Sequence, residues 1–174
     1  MDERRIVTHV CMDMYSPYKS MVNTFLPNAI ICIDSFHVVK KVTDCLNGLR
    51  KRIGRKYSDN KDSKEYKLLK YRYKLLLKKS EHINNEKYFF DRILGYTTSE
   101  TGVLEALLSI DDRLRIAYNL REEYRAFNSI VQKEFDKEVH TKELETLITA
   151  FKETNIKEMK EVAKTLRNWK KRDY

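Results

Sequence analysis

Glycine and proline are scarce in this chain of 174 residues, with four and two copies respectively. So few chain-breaking positions leave little room for the many tight turns of a sandwich or barrel, and they favour helices. No apolar run approaches the roughly 18 residues that a membrane-crossing helix needs. The opening MDERR does not lead into the apolar core of a signal peptide, so a cytoplasmic protein is expected. Cysteine is limited to Cys11, Cys32 and Cys45, an odd number without a C-x-x-C pair. Their apolar surroundings read as reduced core positions rather than a disulfide framework or a zinc site. His9, His82 and His140 show no metal spacing with any cysteine or acid.

What the chain has in excess is positive charge, and it is unevenly placed. Lys40 to Lys79 holds 15 Lys and Arg against 4 Asp and Glu, a balance of +11 within a total of +9. The remainder therefore carries 20 basic and 22 acidic residues, a balance of −2. A block of this kind attracts polyanions, nucleic acid first, or it is a solvated helix face. Lys40, Lys41, Arg50, Lys51, Arg52, Arg55 and Lys56 are its candidate DNA contacts.

Periodicity divides the chain in two. RIVTHVCMD (5–13) is β-branched and partly alternating, and AIICI (29–33) is continuously apolar, so both read as strands. Between them Ser16 can cap a helix with Pro17 at its first position, and Tyr18, Met21, Val22 and Phe25 recur at helical spacing up to Pro27. Strand, helix, strand at this spacing is a βαβ unit with parallel strands and a right-handed crossover.

From Phe36 onward the period is helical. Val38, Val42, Cys45, Leu49 and Ile53 form one stripe, and a second helix is expected over about 64–80. Asn85 is expected to cap a third, burying Phe89, Phe90, Ile93 and Leu94 and ending at Gly95. Leu104, Leu107 and Leu108 mark a fourth, and a fifth starts near SIDD (109–112) and runs through Leu114, Ala117, Tyr118, Arg121, Tyr124, Phe127 and Val131. Thr141 and Asn155 are candidate caps of two last helices, with stripes through Leu144, Leu147, Ile148 and Phe151 and through Met159, Val162, Ala163, Leu166 and Trp169. These stripes are core positions.

Both strands run into an acid, Asp13 and Asp34. In an open parallel sheet the carboxyl ends of the strands form the functional edge. Carboxylates there suit Mg²⁺, which takes oxygen ligands and often keeps only one or two protein carboxylates beside waters and phosphate. Asp34 is equally placed to cap the helix that begins at Ser35 or Phe36. His37, in the first turn, reads either as a satisfied structural histidine or as a group that positions DNA.

The ordered set Asp13-Met14 with Tyr18, Pro27-Asn28-Ala29, an apolar strand, and Asp34-Ser35-Phe36-His37 resembles the heart of a family of bacterial insertion-sequence transposases of the DDE superfamily. LKYRYKLLLKK (69–79), AYNLREEYRAF (117–127) and TLRNW (165–169) resemble that family's helical region, so the likeness covers nearly the whole chain. It implies a ribonuclease-H-like core with an Asp, Asp, Glu triad that binds two Mg²⁺ ions, interrupted by an all-helical insertion. On that likeness Asp13 is the second acid and a metal ligand, and Asp34 with His37 forms the Asp-x-x-His signature just downstream. Asp34 as a direct ligand is the lesser expectation.

The family's first acid and its late glutamate have no counterpart here, and Asn47-Gly48 lacks the glutamate context. The chain is therefore expected to be a piece of a transposase, without catalysis by itself. The expected fold is mainly α with a small α/β part: residues 1–46 a βαβ remnant of the ribonuclease-H-like core, residues 47–174 the helical insertion. Expected partners are DNA and either a second copy or the rest of the transposase, with no membrane. The rival functions are a non-catalytic helical DNA-binding or dimerisation module and a soluble helical domain with no surviving role.

Overall fold

In the computed structural model, which describes residues 4, 6–133 and 136–170, two short parallel strands sit at one end of a helical body. Strands β1 (His9–Met12) and β2 (Ile30–Ile33) pair in parallel, with His9 opposite Ile30 and Met12 opposite Ile33. Helix α1 (Ser16–Phe25) connects them, so the βαβ unit is as the sequence indicates. The first strand is shorter than expected. Ile6 and Val7 precede it, and residue 5 lies outside the described residues. The N-cap of α1 is Tyr15 without a side-chain bond, which moves Pro17 one place further into the first turn than expected.

Only one face of this unit is covered. Met12, Val22 and Ile31 are buried, and Val10, Leu26, Ala29, Ile33 and Trp169 pack around them. The expected α1 stripe is otherwise outside: Tyr18, Met21 and Phe25 are each about half exposed, as is Ile30. An amphipathic helix needs a partner along its whole apolar width, and a two-stranded sheet is too narrow to provide one. Cys11, on the uncovered face opposite Cys32, is exposed, which corrects its reading as a core residue, whereas Cys45 is buried and its thiol is pushed up to about 11 by that burial.

The body is built on α2 (Ser35–Arg55), whose stripe Val38, Val42, Cys45, Leu49 and Ile53 is buried as the spacing predicts. It runs unbroken through residues 46 and 47. Around it pack α3 (Lys64–Tyr71), α4 (Tyr73–Leu77), α5 (Glu100–Leu108), α6 (Asp112–Val131), α7 (Lys137–Glu153) and α8 (Lys157–Lys170), closing one continuous apolar core. The expected helix over 64–80 breaks at Arg72, whose side chain is drawn 2.7 Å from the buried carboxylate of Asp91.

The third expected helix does not form. Its residues make an antiparallel hairpin, β3 (Phe89–Asp91) and β4 (Tyr96–Thr98). Asp91 accepts from the N–H groups of Ile93 and Leu94, which fixes the turn, and Gly95 closes it at φ 80°, where only glycine is unstrained. Asn84, not Asn85, organises the approach by accepting from Glu86 and Lys87 N–H. Phe90 is consequently exposed rather than core. Two caps also move: Asp136, not Thr141, caps α7 through Val139 N–H, and α8 begins two residues beyond Asn155.

Candidate functional site

The parallel register brings the two strand-end acids to one edge. The Asp34 N–H donates to Met12 O at 2.9 Å, so the ladder closes where Asp13 and Asp34 begin. Their environments differ. Asp34 is the N-cap of α2, with Oδ1 accepting from Phe36 N–H at 2.9 Å and Oδ2 lying 3.7 Å from His37 Nε2. Both side chains of that pair are about 40% exposed (40% and 41%), so their attraction is weak. Phe36 packs edge-on against the His37 ring, 5.5 Å between centroids. Ser35 accepts from the side-chain amide of Gln132, which ties the start of α2 to the end of α6.

Asp13 is half-buried, and its Oδ1 is shielded from solvent with no hydrogen-bond partner. A carboxylate oxygen left this way is costly unless something positive meets it. It fits a hard cation as one ligand. Among the described residues no group of three His, Cys, Asp or Glu side chains could hold a metal, so any cation at Asp13 would need further ligands from elsewhere. Behind the start of α2 lies a cavity of about 150 Å³ lined by Val38, Tyr124, Phe127, His140 and Leu144. His140 Nδ1 accepts from Asp136 N–H, which makes that histidine part of the α7 cap.

The basic block is less free than its charge suggests. Arg50 donates to Asn47 Oδ1 at 2.8 Å and to Leu69 O at 2.7 Å, and its guanidinium stacks 4.7 Å over Tyr73. Arg52 grips Glu158 of α8 with two bonds of 2.8 and 2.9 Å, which hold the Glu158 carboxyl below its ordinary range. Both arginines are fasteners between α2 and its neighbours. Arg72, Lys78 and Lys67 are likewise engaged, with Asp91, Glu100 and Asp62. Lys40, Lys51, Arg55 and Lys56 are exposed and Lys41 is half-buried.

A family model described as transposase, that of DDE transposases of the ISL3 type, matches residues 1–172. The chain belongs to this transposase family. No curated protein and no solved structure matches it.

In this chain the AYNLREEYRAF run does structural work that its spacing only hints at. Arg121 lies in the buried stripe of α6, fully shielded, and donates to Leu76 O at 2.6 Å and Lys78 O at 3.1 Å, the carbonyls that α4 leaves open. Burial lowers its affinity for a proton, and its neighbour Glu122 offsets this from 2.7 Å. Glu122 also accepts from Ser80 N–H, and Glu100 accepts from Lys78 Nζ and Asn84 N–H. Segment 76–84 is thus tied to α5 and α6. A charged residue at a core position, flanked by Ala117, Tyr118 and Tyr124, is the signal that marks Arg121.

Proposed function

We propose that this chain serves DNA transposition as part of a DDE transposase, with Asp13 as the second metal-binding acid of a ribonuclease-H-like core. Residues 1–46 then belong to that core and residues 47–174 to its helical insertion. The observation that carries the reading is the shielded, unpartnered Oδ1 of Asp13 at the carboxyl edge of the parallel pair, in a chain of the transposase family. When bound, Mg²⁺ would stabilise the attacking and leaving oxygens as a DNA strand is cut and joined. Asp13 would hold one position on the metal. Asp34 caps α2 at the strand edge, and His37 lies beside it in the first turn. The remaining carboxylates would come from the rest of the transposase or from a second copy. Exposed Lys40, Lys51, Arg55 and Lys56, with Lys41, would contact DNA phosphates without reading sequence.

Metal binding is tested by titrating Mn²⁺, a paramagnetic stand-in, into the chain and following backbone amide signals. Broadening should centre on residues 12–14 at millimolar metal and vanish in Asp13→Asn, since tight sites need several converging oxygens. A micromolar site that survives Asp13→Asn would show the acid to be misassigned. The alternative of a helical DNA-binding or dimerisation module without catalysis is favoured by the self-contained core of α2 to α8. It predicts DNA binding or dimer formation that is indifferent to Asp13→Asn and to divalent metal.

A further inference from the structure

Helix α8 carries a row of cations that have no ion-pair partner among the described residues. Its apolar stripe, Met159, Val162, Ala163 and Leu166, is buried against the body. On the opposite face Lys157, Lys160, Lys164 and Arg167 follow one another at intervals of three and four, and all four are exposed. That spacing aligns them along one side of the helix. Of the two acids of α8, Glu158 is turned away toward α2 and held by Arg52, and Glu161 stands at the edge of the row. Among the described residues no ion pair holds any of the four cations. The 40–79 block differs, because there Arg50, Arg52, Arg72 and Lys78 are bonded to partners on other elements of the fold and Lys67 pairs with exposed Asp62 at the surface.

We infer that this face of α8 is a second DNA-backbone-binding surface, in addition to the exposed cations of α2, the helix on which α8 packs. The inference rests on the transposase reading for its choice of polyanion. From Lys157 to Arg167 the helix advances about 15 Å, and one DNA strand places a phosphate about every 3.4 Å along the duplex axis. The row therefore spans about four phosphates. A rigid row at that pitch gathers several phosphates without ordering a loop, and a backbone contact of this type carries no sequence preference.

The test is fluorescence anisotropy of the full chain on a labelled duplex of arbitrary sequence between about 50 and 200 mM NaCl. The variant K157Q/K160Q/K164Q/R167Q should lower the slope of log affinity against log salt by about 2–4 and weaken binding at least about tenfold at 100 mM. Its circular dichroism should be unchanged, and arginine at the three lysine positions should preserve binding. E161Q should tighten binding about two- to threefold by removing the acid at the row's edge. Wild-type affinity and slope in the quadruple variant overturn the inference, as does an unchanged affinity in E161Q should the quadruple variant not fold. If K40Q/K51Q/R55Q/K56Q abolishes binding and the α8 variant does not, DNA binding stands and the α8 surface falls. Absence of duplex binding by the wild-type chain overturns both.

Discussion

The two ends of α2 lie in unlike surroundings. At its N-terminus the βαβ unit buries three residues, Met12, Val22 and Ile31, and leaves Tyr18, Met21, Phe25 and Ile30 about half exposed. Along its length the helical body shields Val42, Leu46, Leu49, Ile53, Leu76, Leu107, Leu114 and Phe151 to 1% exposure or less. Stability follows shielded apolar area and its packing, so the second region holds the first in place. A pair of strands with open edges has neither the area nor the backbone pairing to stand alone.

Hydrogen exchange should show the largest difference. Amides of residues 9–12 should exchange on the order of a thousandfold faster than those of 114–131, through local opening that leaves the body intact. Equal protection in a monomeric sample would show that the strand pair is an integral part of the body, and protection that grows with protein concentration would identify a second copy as its cover.

Core truncation comes next. Leu49→Ala should cost about 2–5 kcal/mol in urea unfolding, whereas Val22→Ala should cost less than about 1.5 and change mainly the exchange of residues 9–12. Comparable losses would erase the distinction between the regions. Arg121→Met should cost about 2–3 kcal/mol, because the carbonyls of Leu76 and Lys78 would be left without donors. A neutral result would mean that water or a shift of α4 satisfies them.

Acid should act on the body and hairpin by a smaller amount. Although burial pushes the Asp91 carboxyl up, the Leu94 N–H, the Arg72 guanidinium and the Ile93 N–H hold it below its ordinary value of 3.8. Glu100, Asp111, Glu122 and Glu158 are also lowered by their partners. Each folded-state value lies below the unfolded one, so each contribution is present above about pH 4 and is lost as pH falls through the lowered values. The thermal midpoint should be level from pH 7 to 5 and fall below about pH 4. In Asp91→Asn the fall should be shallower and the starting midpoint lower. A midpoint already falling between pH 7 and 5 would show that these carboxylates are not the groups through which acid acts.

Sequence by itself determined the parts whose neighbours along the chain decide them. The α2, α5, α6, α7 and α8 stripes repeat at 3.6 residues and most of their positions are buried as that period predicts, with Phe127, Val131, Leu147 and Trp169 half-buried, whereas the α1 stripe has the same period and lacks a partner to cover it. The strand-end acids were legible because an apolar run bounded by a polar residue marks where a strand leaves its sheet, and the ordered Asp13 to His37 set pointed to the transposase family. Local pattern failed at Phe89 to Thr98, where a three-to-four spacing of apolar residues suits a helix, yet Asp91 meeting Arg72 from another segment selects a hairpin. It failed again for charge. Arg50 and Arg52 look as free as Lys51 in the sequence, and only tertiary packing brought Leu69 O, Tyr73 and Glu158 within their reach. Composition counts cations. Which of them remain available to a partner is settled by acids and carbonyls that can be more than a hundred residues away, as Glu158 is from Arg52 (separation 106).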